Sequence, residues 1–290
     1  MKNKLISIKC PLCNKSEYKT VFYKDSFRIV RCNTCSLIYV NPRISRSESI
    51  RLYNENAISP VNYYKETEKE DKITFEKRLN LIEKFTKNKG KILDIGCSIG
   101  TLLDLARNKG FDCYGIEINK DAAKICKKKN LRVYQIPIEK CSFNKNFFDL
   151  IIMNDIIEHL HNPKEVMDMV SSILKPNGIL FMVTPDIGSF TSRLLGKYWH
   201  HLKPNEHLVY FSESTIKRLL NQCNFNVEMI RHLGRYRKVE TIMTKPKPSS
   251  RFVGKIIKFI PMSIKRIIVP FNLCDELGII ARKSNSHKNL

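Results

Sequence analysis

Two short segments of this chain carry polar residues at a spacing typical of nucleoside-binding sites. An apolar run over residues 91–95 leads into the pattern D-x-G-x-x-x-G, whose fixed positions are Asp94, Gly96 and Gly100. Glycines at such a turn let a ligand approach the backbone closely, and a helix that follows them presents unpaired N–H groups. A second apolar segment ends at Glu117, and an acid about 20 residues further on contacts a ribose in doubly wound sheets. The two segments predict a nucleoside cofactor at the carboxyl ends of parallel strands.

The type of cofactor follows from the charge of Asp94. A dinucleotide site carries G-x-G-x-x-G around a pyrophosphate, and a carboxylate at the end of the strand would repel that group. The same carboxylate can accept a hydrogen bond from an ammonium. S-adenosylmethionine carries an ammonium and a sulfonium and no phosphate, so it suits this pattern better than a nicotinamide dinucleotide. An NAD-dependent oxidoreductase is therefore the weakest functional alternative, and a β-turn-α corner with incidental glycines is the structural one.

The rest of the chain supplies the elements that would position these residues. Beyond residue 90, apolar strand-like runs alternate with segments of helical periodicity, which is typical of a mostly parallel α/β sheet. The strands are predicted at 91–95, 112–116, 131–135, 148–153, 178–184, 225–232 and 276–282. The helices are predicted at 101–109, 120–129, 163–174 and 213–223. The predicted fold class is therefore α/β, with a Rossmann-like seven-stranded sheet.

These motifs resemble those of a known enzyme family. The D-x-G-x-x-x-G segment resembles motif I of the class I S-adenosylmethionine-dependent methyltransferases, and the seven predicted strands match the layout of that family. Phe148 and Asp149, followed by Glu158 and His159, resemble the family's segment around the fourth strand. In the family, the residue that leaves this strand lines the methionine half of the cofactor, and that residue is Asn154 here.

The resemblance implies a set of cofactor contacts along the strand ends. Many relatives carry Gly-Asp, with the Asp reading the adenine amino group, where this chain has Ile136 and Pro137. Adenine recognition is therefore expected from backbone groups around Ile138 or from another side chain. Glu158 and His159 are either catalytic or a brace for the loop beneath the cofactor. The residues predicted to contact S-adenosylmethionine are Asp94, Gly96, Cys97, Gly100, Glu117, Ile118, Ile138, Asn154 and His159.

Four cysteines near the start of the chain have the spacing of a zinc ribbon. Cys10 and Cys13 form one C-x-x-C pair, and Cys32 and Cys35 form another, which is a strong signal for tetrahedral Zn²⁺. Because protein ligands fill all four positions, the zinc is expected to be structural. A segment this short has little core of its own, so the metal would supply the missing stability. The alternative is a set of reduced cysteines in a core.

We divide the chain into three parts on this basis. Residues 1–42 are predicted to form the four-cysteine zinc ribbon, and residues 43–89 a helical linker or cover. Residues 90–290 are predicted to form the methyltransferase domain. Within that domain, residues 186–212 are expected to be an active-site loop and residues 245–272 a basic amphipathic insertion.

The predicted active-site loop holds two residues suited to acid-base chemistry. Glu206 and His207 lie in the run N-E-H-L-V-Y-F-S, which resembles a segment of zinc-ribbon methyltransferases that act on nucleotide-linked sugars. The resemblance implies that His207 is the catalytic general base and that Glu206 orients it. One alternative is a histidine that caps the helix near residues 212–214 or packs in a lid. Another is a catalytic zinc site formed by His200, His201 and His207.

Composition bears on partners and on compartment. The chain has 290 residues, a net charge of +23 and ten cysteines. The charge would attract nucleic acid, anionic lipid or phosphorylated metabolites, and lysines scattered without a function are the alternative. The cysteines, with no secretory signal and no apolar run of membrane-spanning length, predict a cytoplasmic protein. The basic amphipathic stretch at 251–270 predicts either peripheral contact with the inner membrane surface or a cap that packs on the domain.

Taken together, these features predict a methyltransferase that uses S-adenosylmethionine and a structural Zn²⁺. The expected acceptor is a small molecule, namely a sugar, nucleotide-sugar or glycan, methylated on oxygen or carbon. One alternative is an RNA methyltransferase that uses the basic surface and the ribbon, although the exit of the fourth strand lacks the N-P-P-[YF] signature of base-amino methylation. Another is a catalytically silent zinc-ribbon binding protein, which the intact Asp94, Gly96, Gly100 and Glu117 argue against.

Overall fold

The computed structural model describes residues 5–55, 61–86, 88–244 and 261–284 of the protein. The elements before the glycine-rich turn are β1 Leu5–Ile6, β2 Tyr18–Lys24, β3 Phe27–Cys32, β4 Ile38–Val40, β5 Arg43–Ile44, α1 Arg46–Asn54, α2 Val61–Ile82 and β6 Lys91–Ile95. Those that follow are α3 Thr101–Asn108, β7 Asp112–Ile116, α4 Lys120–Lys128, β8 Arg132–Tyr134, β9 Phe148–Asn154, α5 Pro163–Ile173, β10 Leu174–Pro185, α6 Phe190–Leu195, β11 Val209–Tyr210 and α7 Glu213–Gln222. The last are β12 Phe225–His232, β13 Arg235–Lys238, α8 Val239–Thr244, α9 Met262–Lys265, β14 Ile268–Phe271 and β15 Glu276–Lys283.

The central sheet has seven strands in the order β12-β15-β10-β9-β6-β7-β8. Strands β10, β9, β6, β7 and β8 are parallel to one another, and β15 pairs antiparallel with both β10 and β12. This arrangement confirms the predicted Rossmann-like sheet. The strand predicted at 178–184 begins four residues earlier than expected, directly after the helix predicted at 163–174. The helix ends at Ile173 and Leu174 already pairs with Phe148, so Gly178 lies inside β10, at an irregularity in the register.

The core lies on both faces of the sheet because its central strands carry apolar residues at successive positions, which face opposite sides. In β9, Leu150, Ile151, Ile152 and Met153 are all fully buried. Ile151 and Met153 belong to the cluster on one face, and Leu150 and Ile152 belong to the cluster on the other. This continuous run, unlike the alternation of a half-exposed strand, made the strand predictable from sequence.

The cysteine-containing segment forms a second sheet that includes a strand from much later in the chain. The order of this four-stranded sheet is β11-β4-β3-β2. Val209 and Tyr210 of β11 pair antiparallel with Tyr39 and Ile38 of β4. The only tryptophan, Trp199, is fully buried in an apolar cluster that includes residues of β3 and β4. The ribbon and the loop around β11 are therefore packed as one unit.

Helices α1 and α2 fall within the segment predicted as a helical linker or cover. Helix α2 packs against α3 and against β13, so it borders the carboxyl edge of the sheet. Strand β13 pairs antiparallel with β14. Most of the predicted basic insertion, at 245–260, lies outside the described residues, and its remainder contains α9 and β14. None of the described helices combines the length and apolar content required to cross a bilayer.

Candidate functional site

A single cavity lies over the carboxyl ends of β6, β7 and β9. Eight of the predicted cofactor residues line it, namely Asp94, Gly96, Cys97, Glu117, Ile118, Ile138, Asn154 and His159. Gly100, Glu206 and His207 do not line it. Parallel strands bring their carboxyl ends to one edge, so residues far apart in the chain meet there.

The turn after β6 has a left-handed backbone at three positions. Gly96 has φ +74°, Ser98 φ +49° and Gly100 φ +77°. A Cβ at Gly96 would collide with Cδ1 of Ile156, and a Cβ at Gly100 would collide with Cδ1 of Leu131. Glycine is required at both positions for conformation and for space. Gly100 thus shapes the turn from behind and does not face the cavity.

Asp94 presents a buried carboxylate to the cavity. Its side chain is 3% exposed, and no group in the described part of the chain donates a hydrogen bond to it. Burial, and then the nearby charge of Glu117, raise the pKa of Asp94 to about 7. A carboxylate in this setting is costly unless a cationic group arrives to pair with it.

Glu117 holds the glycine turn against the end of β7. Its Oε2 accepts from the backbone N–H of Ser98 at 2.8 Å, and its Oε1 accepts from that of Asn119 at 2.7 Å. Burial raises the pKa of Glu117, and these backbone donors oppose that rise. Each carboxylate oxygen has a second lone pair, so Glu117 retains the capacity to accept from a ligand hydroxyl.

Asn154 ends β9 with its side chain oriented by a buried arginine. The guanidinium of Arg78, which is 3% exposed, donates from Nη1 to Oδ1 of Asn154 at 3.1 Å. Because Oδ1 is held in this way, the amide N–H groups remain available as donors toward the cavity that Asn154 lines.

His159 and His207 are packed together, but only His159 reaches the cavity. Their rings meet edge to face with centroids 4.8 Å apart. The Nδ1 of His159 bonds the carbonyl oxygen of Glu206 at 2.9 Å, and Nδ1 of His207 bonds that of His201 at 2.7 Å. Burial lowers the pKa of His159 to about 4 and holds the pKa of His207 well below its usual range. Both imidazoles are therefore neutral near pH 7.

The pair predicted as base and orienting acid is not assembled in the predicted way. The carboxylate of Glu206 lies 3.7 Å from Nζ of Lys203 and does not hold the His207 ring. His207 is 6% exposed and sits behind His159 relative to the cavity. Its orienting partner is a backbone carbonyl, because the loop turns back on itself at residues 201–207. The catalytic role of His207 stays a prediction.

The cavity has a second half that sequence reasoning missed. It is lined by aromatic and charged side chains, among them Tyr53, Phe75, Asp155, Arg235 and Arg237. Arg235 donates from Nη2 to both carboxylate oxygens of Asp155 at 2.7 Å, and from Nε to Glu276 at 2.8 Å. Asp155 has φ +53°, a strained backbone of the kind found at functional sites. In the sequence, these two arginines could have been noticed from the run R-Y-R just after the strand at 225–232.

The four ribbon cysteines come together as predicted. Their sulfur atoms lie within 4.8 Å of one another. The closest pairs are Cys10 with Cys35 at 3.4 Å and Cys13 with Cys32 at 3.5 Å. This cluster is compatible with a tetrahedral Zn²⁺, which thiolates bind at about 2.3 Å.

Comparisons with known proteins agree with this geometry. The profile of a family described as "Methyltransferase domain" matches residues 67–230. An uncharacterized protein of Methanocaldococcus jannaschii is 25% identical over 137 residues, which cover 47% of this chain and 65% of that protein. The ubiquinone biosynthesis O-methyltransferase of Glaesserella parasuis is 28% identical over 149 residues, which cover 42% of this chain and 63% of the relative. The chain thus spans less than two thirds of the length of these relatives.

The fold is also shared with a solved structure. A SAM-dependent methyltransferase from Archaeoglobus fulgidus superposes with a TM-score of 0.53 at 23% identity, covering 76% of this chain and 99% of that one. The family profile covers more than half of the chain and includes the glycine turn, Glu117 and Asn154. The chain therefore belongs to the methyltransferase-domain family.

Proposed function

We propose that this enzyme transfers a methyl group to a hydroxyl of a small-molecule acceptor, a sugar or a nucleotide-linked sugar. The observation that carries the proposal is the continuity of the cavity. The strand-end residues Asp94 and Glu117 line the same cavity as Tyr53, Arg235 and Arg237. A donor at the strand ends and an acceptor among the aromatic and charged groups would thus share one enclosed space.

The strand-end half suits S-adenosylmethionine. The unpartnered carboxylate of Asp94 accepts from the cofactor's ammonium, and Glu117 accepts from a ribose hydroxyl. Gly96 lines the cavity, so the ligand meets the backbone of the turn there without an intervening side chain of that residue. Ile118 and Ile138 supply apolar surface and backbone groups for adenine. The bound cofactor supplies an activated methyl group on sulfur, so the chain's own contribution is largely positioning.

Aromatic rings and paired charges in the other half suit a polyhydroxylated acceptor. Tyr53 and Phe75 offer flat apolar faces, and Asp155 and Arg235 offer polar atoms beside them. Methylation of oxygen is supported by the similarity to a relative named as an O-methyltransferase. The resemblance of the Glu206-His207 segment to enzymes that act on nucleotide-linked sugars supports the acceptor class.

Tyr53 provides a test of the acceptor half. It lines the cavity, and its hydroxyl has no hydrogen-bond partner among the described residues. We expect Tyr53→Phe to raise the KM for the acceptor about tenfold, because one hydrogen bond of about 1 kcal/mol or more is lost, while the Kd of S-adenosylmethionine stays unchanged. Steady-state kinetics and calorimetry measure the two quantities. Tyr23→Phe, at a 69% exposed ribbon position, is the control, and equal KM values for both variants would contradict the proposal.

The proposed reaction is tested by incubating the enzyme with methyl-labelled S-adenosylmethionine and a panel of sugars, nucleotide-sugars, glycans, phenols and tRNA. We expect label in a base-stable ether of a sugar or nucleotide-sugar. Label in tRNA, with a steep dependence on salt, would favour the RNA alternative. Label in phenols alone would overturn the acceptor class while leaving O-methylation in place.

We further propose that Cys10, Cys13, Cys32 and Cys35 hold one structural Zn²⁺. Support comes from the approach of their four sulfur atoms and from the tetrahedral donor set, which leaves no position for water. Bound zinc would cross-link the two C-x-x-C turns that flank β2 and β3.

A further inference from the structure

A second group of metal-ligating side chains adjoins the cavity through one of its members, His159. A carboxylate oxygen of Glu158 and one ring nitrogen each from His159 and His207 lie within 4.8 Å of one another. The Oε1 of Glu158 is 4.0 Å from Nε2 of His159. Glu158 and His207 are buried, and His159 lines the cavity. The group is separate from the ribbon cysteines.

Glu158 has an oxygen that the described chain does not satisfy. Its side chain is 2% exposed, and Oε2 accepts from the hydroxyl of Thr184 at 3.0 Å. Its Oε1 is buried without a hydrogen-bond partner among the described residues. A buried, unpaired carboxylate oxygen is expensive, so a cationic or donor group is expected at this point.

The two histidines are oriented as metal ligands are. In each ring Nδ1 lies at hydrogen-bond distance from a backbone carbonyl, which can only accept. Each neutral ring must therefore carry its proton on Nδ1 and its lone pair on Nε2. A carbonyl that fixes the tautomer from behind is the usual outer partner of a coordinating imidazole.

We propose that Glu158, His159 and His207 bind one divalent metal ion. One carboxylate and two imidazoles form a donor set for Zn²⁺, Fe²⁺, Mn²⁺ or Co²⁺. Ligand atoms at about 2.1 Å from an ion are roughly 3 Å apart, so the present separations close by about 1 Å on binding. Rotation of the carboxylate, which is held only through Oε2, supplies much of that movement.

The ion would act on the acceptor, and this part of the inference depends on the proposed function. A metal at His159 lies at the cavity wall and lowers the pKa of an acceptor hydroxyl that coordinates it. The O–H bond breaks and its proton passes to solvent. The oxygen then forms a bond to the methyl carbon while the C–S bond breaks and its electron pair stays on sulfur. The products are a methyl ether and S-adenosylhomocysteine.

Manganese alone is a suitable probe, because a four-thiolate site selects softer ions. The zinc-loaded 290-residue protein is titrated with MnCl2, and free Mn²⁺ is followed by electron paramagnetic resonance. We expect about one equivalent to bind, with pulsed spectra showing nitrogen coupling from two imidazoles. Glu158→Gln and His207→Gln should weaken binding at least tenfold.

His200→Gln is the matched control. His200 belongs to another group, with His201 and Asp275, and this variant should bind Mn²⁺ normally. Loss of Mn²⁺ in His200→Gln but not in His207→Gln would overturn the assignment, as would a wild-type protein that binds no Mn²⁺ or shows no nitrogen coupling. If a variant is too unstable to measure, the presence or absence of nitrogen coupling in the wild-type spectra still tests the proposed site. Calorimetry with S-adenosylmethionine on the same samples tests the cofactor site separately.

Discussion

Asp94→Asn is expected to stabilise the ligand-free enzyme and to weaken its binding of S-adenosylmethionine. The pKa of Asp94 is about 7 in the folded protein, against about 3.9 for an unfolded chain. Between these values the folded state binds the extra proton, so its stability falls as pH rises and stays lower above pH 7. The contribution reaches about 4 kcal/mol as an order of magnitude, and asparagine removes it.

The two effects of this substitution have different pH profiles. Thermal melts of ligand-free protein should show the variant several degrees above the wild type at pH 8 and equal to it near pH 4. Loss of a charge-assisted hydrogen bond should weaken S-adenosylmethionine binding roughly 10- to 100-fold at pH 8. Wild-type affinity should fall below pH 7, as Asp94 is protonated, whereas the variant's affinity should change far less.

Asp104→Asn is the control for this pair of effects. Asp104 lies nearby on α3 but pairs at the surface with Arg107, so its substitution should alter neither the melts nor the binding by much. A variant at Asp94 that bound S-adenosylmethionine as tightly as the wild type at pH 8 would show that the carboxylate does not contact the ammonium.

Loss of the Zn²⁺ that we propose for the ribbon is the second change with a large expected effect. Cys10 is 2% exposed among the four clustered sulfurs, and Cys10→Ser should release the zinc. Since so short a segment depends on its metal, β2, β3 and β4 should lose their pairing. The loss reaches beyond the ribbon, because β4 also pairs with β11. We expect the melting temperature to fall by more than about 10 °C.

Metal analysis and thermal melts measure both consequences. The wild type should contain one zinc per chain, and Cys10→Ser none. Cys274→Ser, at an exposed cysteine outside the cluster, should keep the zinc and the wild-type melt. Zinc-free wild-type protein with an unchanged melt would refute a structural metal here.

Much of the sheet and half of the cavity could be predicted from the sequence because their signals are local. The strand at 148–153 contains the continuous apolar run 150–153, and the turn at 94–100 places its acid and glycines within seven positions. Parallel topology then brings Glu117 and Asn154 to the same edge. None of these inferences required knowledge of a distant contact.

The other half of the cavity depends on contacts that no local pattern contains. Arg235 pairs with Asp155, which is 80 residues away in the chain. The position of Arg235 depends on how β13 packs against α2, so the sequence alone does not identify its carboxylate partner. The position of His207 behind His159 depends on β11, a strand of two residues whose partner lies in the ribbon. Short-range periodicity cannot reveal a strand that exists only through its tertiary partner.

The position of Trp199 allows its intrinsic fluorescence to report on the packing of the ribbon. Its indole N–H donates to Asp275 at 2.9 Å, and its ring lies with Ile29, Ile38 and Val40 in one apolar cluster. Because the chain has no other tryptophan, a red shift in intrinsic fluorescence on unfolding would arise from this junction. Undocking of the ribbon can therefore be timed without any label, independently of turnover.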